Sequence, residues 1–223
     1  MTDGVKKYAA FFDMDRTLIA EISGRALVKT AWKRRMITRT DLLRALYNYF
    51  LYLIRLKDPS DLIENMVAWA RGFTDQGMKE LCAATYSELL QPSLFREAVQ
   101  EINRHRQNGG RVIILSSTLN YICEAFSVQL GMDGYISSSL ELKDGYFTGK
   151  PVGRICYGSE KLTRMTGYCS DNNLNHSDSW YYSDSISDLP VLDSVGHPVC
   201  VNPDRKLRTV AKKRSWQIFD WDN

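Results

Sequence analysis

Residues 8–12, Tyr-Ala-Ala-Phe-Phe, form a short apolar run that stops at Asp13-Met14-Asp15-Arg16-Thr17. A run of this length and aromatic content reads as a buried strand. A buried strand that ends in two carboxylates one residue apart narrows the choice of fold. In open parallel sheets, chemistry collects at the carboxyl ends of the strands. A carboxylate placed there can attack phosphorus and carry the phosphoryl group as an aspartyl phosphate. Asp is also common in plain turns, so three later segments decide between the two readings.

The first is Ser183-Asp184-Ser185-Ile186-Ser187-Asp188, which follows the aromatic run Trp180-Tyr181-Tyr182. Asp184 and Asp188 are four apart, so a helical turn would put them on one face. A cap at the start of a helix over 186–194 explains one of these acids but not both. Carboxylates at this density suit a hard cation, Mg²⁺ before Zn²⁺. The second is Arg111-Val-Ile-Ile-Leu115, which runs into Ser116-Ser117-Thr118 before a helix start. Hydroxyls with the backbone N–H groups of a helix N-terminus make a phosphate cradle, although the same residues serve as ordinary caps. The third is Lys161. A helical lysine is usually a solvated surface residue. A site with several carboxylates and a phosphoryl group, however, needs a fixed counter-charge besides a metal.

Strand-like runs alternate with helical patterns along most of the chain. The pattern predicts strands at 8–12, 111–115, 134–138, around Tyr181, 198–201 and 216–219. Helices are predicted at 92–107, 120–130, around 160–166 and 203–213, with a hairpin over 140–148 that turns at Lys143-Asp144-Gly145. Such alternation implies a parallel sheet covered on both faces. Residues 20–92 instead read as four helices, at 24–36, 40–57, 60–72 and 75–90, with Thr38-x-x-Asp41 similar to a capping box. The expected fold class is α/β: a Rossmann-like three-layer core of parallel sheet, with a small all-helical cap domain inserted after the first strand. The core comprises residues 1–19 and 93–223 and the cap residues 20–92.

In this order the four motifs resemble those of the haloacid dehalogenase superfamily of phosphatases and phosphotransferases, and the phosphoserine-phosphatase-like subclass IB in particular. Asp13-Met-Asp15-Arg-Thr17 matches the first motif, Ser116 the second, Lys161 the third, and Asp184 with Asp188 the fourth. The resemblance spans Tyr8 to about Trp216 and includes the stretch from Gly196 to Leu207. It implies a phosphomonoester phosphatase in which Asp13 is the nucleophile and Asp15 the general acid and base. Ser116, Ser117 and Lys161 would hold the phosphate. Mg²⁺ would be bound by Asp13, Asp184 and the backbone carbonyl of Asp15, with Asp188 orienting its water ligands or Lys161. The chain departs from the pattern twice. Arg16 stands where most members have Gly. Phosphoserine phosphatases carry an acid a few residues after the first motif, but here Ile22 takes the aligned position and Glu21 falls one residue short, so the expected substrate is phosphoserine-like or related, with phosphoserine, small phosphorylated alcohols, phosphocholine-like compounds and lysophospholipid-like phosphates all open.

Composition fits a soluble globular protein, with 44% hydrophobic and 25% charged residues and a net charge of only +3. The densest basic runs, Lys33-Arg34-Arg35 and Lys212-Lys213-Arg214, read as solvated helix faces, and no nucleic-acid-binding motif is present. Five cysteines with no Cys-x-x-Cys pair read as reduced thiols of a cytoplasmic protein. No signal peptide is expected. The apolar stretch 42–54 carries Arg44 and Asn48 and is too short to cross a bilayer, so a buried cap helix is expected there and no stable membrane insertion. The expected partner is a small-molecule phosphomonoester. The same motifs would also serve a phosphotransferase or mutase, or, with turnover lost, a binding scaffold. Oligomeric state is not readable.

Overall fold

The structure, a computed structural model, describes residues 8–43, 47 and 67–222. Strand β1 (Ala9–Phe12) is the centre of a six-stranded sheet. Around it lie β2 (Arg111–Leu119), β3 (Gly134–Ser138), β6 (Trp180–Ser183), β7 (His197–Val201) and β8 (Gln217–Phe219). The order is β3-β2-β1-β6-β7-β8, and every pairing is parallel. The chain builds outward from β1 on one side, then returns to β6 on the other. The reversal creates a crevice at the carboxyl ends of β1, β2 and β6, where α/β proteins bind ligands.

The two-residue period of the strands divides the core in two. Ala10, Phe12, Val112, Ile114, Tyr182 and Val201 face one layer, while Ala9, Phe11, Ile113, Leu115, Tyr181 and Cys200 face the other. On the first face lie α3 (Arg96–Gln107) and α4 (Asn120–Leu130). The same cluster takes in α1 (Ser23–Lys33) and α2 (Asp75–Thr85) through Leu27, Ala31, Met78 and Leu81. On the second face α5 (Ser159–Asp171), the short α6 (Leu189–Leu192) and α7 (Arg205–Lys213) bury Met165, Val191 and Leu207. This is the expected α/β core with helices on both faces. All five cysteines are buried.

Several local predictions hold with sharp physical causes. Helix α4 ends where predicted because Gly131 takes the left-handed conformation, φ +59°. The hairpin of β4 (Leu140–Lys143) and β5 (Tyr146–Pro151) turns on Asp144 and Gly145, both at positive φ. Its far side is stitched to residues 72–73, with Gly72 N donating to Phe147 O and Phe147 N donating to Phe73 O. Thr38 and Asp41 form the reciprocal capping bonds expected of them. Others differ. The helix predicted from 92 begins only at Arg96, after a tight turn over Gln91–Ser93 that Pro92 enforces. The helix at 75–90 loosens into a wider π turn over Tyr86–Leu90. The predicted helices at 40–57 and 60–72 lie mainly outside the described residues. Of the apolar stretch, Leu42 packs against the core, whereas Leu43 and Tyr47 are exposed. No helix among the described residues is long and apolar enough to cross a membrane.

One buried group makes the fold acid-sensitive. His105 on α3 is fully buried, with Nδ1 3.2 Å from the Tyr8 hydroxyl and Nε2 2.8 Å from the Tyr182 hydroxyl. The Tyr182 hydroxyl donates to Glu101, so its oxygen accepts from His105 and from Arg104. Burial and the adjacent Arg104 cation push the imidazole down to about 4. An unfolded histidine titrates near 6.5, so below that pH the unfolded chain takes up the proton first. This contribution to stability is complete above pH 6.5 and is lost as pH falls toward 4. Urea melts should show a loss of about 2–3 kcal/mol over that interval from this group. His105→Gln should lack that component of the pH slope.

Candidate active site

Three strands deliver the predicted residues to the crevice. Asp13 leaves β1 with its N–H still bonded to the Tyr182 carbonyl at 2.9 Å. Strand β2 runs further than predicted, through Ser116, Ser117 and Thr118 to Leu119. Its register with β3 shifts between Leu115 and Leu119, which takes the hydroxyl segment out of the regular ladder. Helix α4 then starts with Leu119 as its N-cap residue and no side-chain cap, so its first N–H groups have no side-chain acceptor. Asp184 follows β6, and Asp188 closes a single tight turn over Ile186–Asp188. That turn is anchored from below by Asp204. Its carboxylate accepts from Ile186 N and caps α7, while its own N–H donates to the Asp184 carbonyl.

Lys161 is the centre of the site. It is 2% exposed, so the surface reading of a helical lysine fails here. Its Nζ lies 3.0 Å from Asp13 Oδ1 and 2.7 Å from Asp188 Oδ2. Burial alone would lower its pKa, but the Asp13 and Asp188 carboxylates outweigh that and hold it well above the usual lysine range. Asp188 Oδ2 also accepts from Tyr181 at 2.6 Å and from Ser183 at 2.7 Å. These two hydroxyls fix the partner of Lys161, yet nothing in a strand-like Trp-Tyr-Tyr-Ser run singles them out from core and cap residues.

Among the described residues, four carboxylates share this space with one ammonium. Burial raises the Asp13 pKa, and Lys161 partly offsets the rise. Burial and the neighbouring Asp13 push Asp15 up to about 6. Asp184 is raised well above the carboxylate range by burial, Asp13 and Asp188. Among the described residues no hydrogen bond or ion pair reaches the Asp184 carboxylate, and Asp188 Oδ1 is buried without a partner. A buried carboxylate cluster with unpaired oxygens is costly unless a cation joins it. No group of three or more acidic, His or Cys side chains among the described residues is arranged to hold a metal ion by itself. The donors present are carboxylate oxygens, the chemistry that a hard ion such as Mg²⁺ takes.

Asp15 is held apart from Lys161. Ser23 N and Ser23 Oγ each donate to one of its oxygens at 3.0 Å. Thr118 Oγ1 lies 2.8 Å from Ser23 Oγ, and Ser116 Oγ donates to Thr118 Oγ1 at 3.3 Å. The sequence gives Ser23 no role and places Thr118 only in the hydroxyl run of the phosphate cradle, because their links to Asp15 span 8 and 103 residues. Ser117 is half-buried at the same strand end. Arg16 is exposed and takes φ +58°, the left-handed conformation that explains why glycine is usual at this point. Glu21 is exposed and Ile22 half-buried just before α1.

The family model for haloacid dehalogenase-like hydrolases matches residues 10–193. The chain is 35% identical to the inhibition of morphological differentiation protein of Streptomyces azureus, over 96% of this chain and 78% of that one. It is 30% identical to a probable phosphatase of Mycobacterium tuberculosis, over 96% of this chain and 75% of that one. A solved phosphoserine phosphatase, a phospho-aspartyl intermediate analogue, superposes with a TM-score of 0.72 at 15% identity and covers 96% of this chain and 93% of its own. The chain belongs to the haloacid dehalogenase-like hydrolases and is an enzyme of the phosphatase kind.

Proposed function

We propose that the protein is a Mg²⁺-dependent phosphatase of a small phosphorylated metabolite, working through an aspartyl phosphate on Asp13. The observation that carries this reading is the buried Lys161 ammonium, which ties Asp13 to Asp188 beside the unpartnered Asp184 carboxylate. Asp13 attacks phosphorus as the ester O–P bond breaks. Asp15 gives its proton to the leaving oxygen, then takes one from the water that releases phosphate from Asp13. Its raised pKa suits both duties. Ser116, Ser117 and the free N–H groups of α4 hold phosphoryl oxygens, and Lys161 neutralises developing charge.

Asp13 and Asp184 would hold Mg²⁺ by their carboxylates and Asp15 by its backbone carbonyl, with Asp188 Oδ1 behind them. The ion would balance the carboxylates and polarise a phosphoryl oxygen. Residues 1–19 and 93–223 would form the catalytic core, and 20–92 a cap that closes over the substrate. Ile22 gives no carboxylate for a substrate amine, so we place the substrate among phosphomonoesters other than phosphoserine. Buried, unpaired cysteines suit a reducing, cytoplasmic setting.

The test is phosphate release from a panel of phosphomonoesters with Mg²⁺ or with EDTA. Release that requires Mg²⁺ is expected. Transfer to a second substrate without free phosphate would replace hydrolysis by phosphotransfer. The metal also has a stability signature. A carboxyl whose folded pKa is raised loses stability as pH climbs from its unfolded value through its folded one, so Asp184 opposes folding once pH passes the unfolded carboxylate range. Asp184→Asn should therefore melt higher than wild type without metal, by about 2–4 °C per kcal/mol relieved. Mg²⁺ should raise the melting temperature of wild type and leave Asp184→Asn nearly unmoved.

A further inference from the structure

Helix α1 starts with no cap of its own. Its N-cap residue is Ile22, which has no side-chain acceptor, and its first turn carries no acid. Helix N-termini need acceptors for their leading N–H groups. Asp15 supplies one from eight residues upstream, accepting from Ser23 N on Oδ1 and from Ser23 Oγ on Oδ2, each at 3.0 Å. Ser23 is 3% exposed and Thr118 5% exposed. The Ser23 hydroxyl gives its proton to Asp15, and Thr118 Oγ1 lies 2.8 Å from that hydroxyl and 3.5 Å from Asp15 Oδ1, so its one proton goes to Ser23 or to Asp15 itself. Ser116 in turn donates to Thr118. A hydroxyl chain thus runs from the phosphate-binding end of β2 through α1 to the Asp15 carboxylate.

We propose that Ser23 is a positioning residue for proton transfer: it aims the Asp15 carboxyl at the leaving oxygen, and Thr118 braces it. The inference rests on the role given to Asp15 above. In the first step the Asp15 O–H bond breaks and its proton passes to the leaving oxygen as the O–P bond opens and the Asp13–phosphorus bond forms. A poor leaving group such as an alkoxide needs that proton, whereas p-nitrophenolate does not. The parameter kcat/KM reports this first step and excludes the later attack by water.

The experiment measures kcat/KM of wild type, Ser23→Ala and Ser23→Thr, with Mg²⁺, on an alkyl phosphomonoester that wild type hydrolyses and on p-nitrophenyl phosphate. Ser23→Ala should lose about 10–100-fold on the alkyl ester and less than about 3-fold on p-nitrophenyl phosphate. Ser23→Thr, which keeps the hydroxyl, should recover most of the loss. Equal losses on both substrates, or no loss on either, would overturn the proposal. If Ser23→Ala does not fold, Thr118→Val carries the test, with the same selectivity expected and a smaller loss. Wild type that hydrolyses neither substrate would overturn the phosphatase reading itself, and this inference with it.

Discussion

Asp13→Asn is expected to lower phosphate release by at least about 1,000-fold while leaving the fold intact. The amide has the shape of the carboxylate but is not a nucleophile toward phosphorus. The backbone bond from residue 13 to Tyr182 O is unaffected, so the strand end should stay in place. Lys161 keeps Asp188 as its partner at 2.7 Å. Burial raises the Asp13 pKa, so removing its charge should leave the melting temperature equal or higher. Phosphate release measured beside a thermal melt reads both arms. Activity within tenfold of wild type would exclude Asp13 as the nucleophile.

Lys161→Met should cost a large part of the stability of the fold. It removes the one ammonium among the described residues that faces Asp13 and Asp188 and leaves two buried carboxylates uncompensated. Breaking a buried pair from one side costs about 3–5 kcal/mol. For a chain of this size that is a fall of roughly 10 °C in melting temperature. The hydroxyls of Tyr181 and Ser183 still reach Asp188, but neither supplies charge. Activity should vanish as well. The double variant Lys161→Met with Asp188→Asn should regain part of the stability and none of the activity, because the orphaned charge goes while the phosphate contact stays lost. A single variant as stable as wild type would show that the ion pair is not formed.

The sheet and the carboxylates at its strand ends were legible because each depends on local pattern. Phe11 and Phe12 face opposite layers, as continuous apolar runs in parallel sheets do, and the chain turns polar where the sheet ends. Asp13, Ser116 and Asp184 each follow such a run, so their placement follows from the strand alone. Lys161 was visible only through the charge requirement of its neighbours, since a helical lysine is ordinarily exposed. The supporting residues were not legible. Ser23 reads as a helix start and Tyr181 as core, and only tertiary contact brings their hydroxyls to Asp15 and Asp188. The extension of β2 through Ser116–Leu119 was missed because a Ser-Ser-Thr run signals a turn. The return to the β3 ladder at Leu119, which pairs with Ser138, and the burial of Ser116 and Thr118 override that preference.

If Asp13 carries the phosphoryl group, the group can be trapped there. Enzyme mixed with Mg²⁺ and a hydrolysed phosphomonoester, quenched in acid within the first turnovers, would be digested and read by mass spectrometry. The account predicts a phosphoryl adduct on Asp13 that disappears in Asp13→Asn. An adduct on another residue, or steady turnover with no adduct on the peptide that carries Asp13, would contradict it.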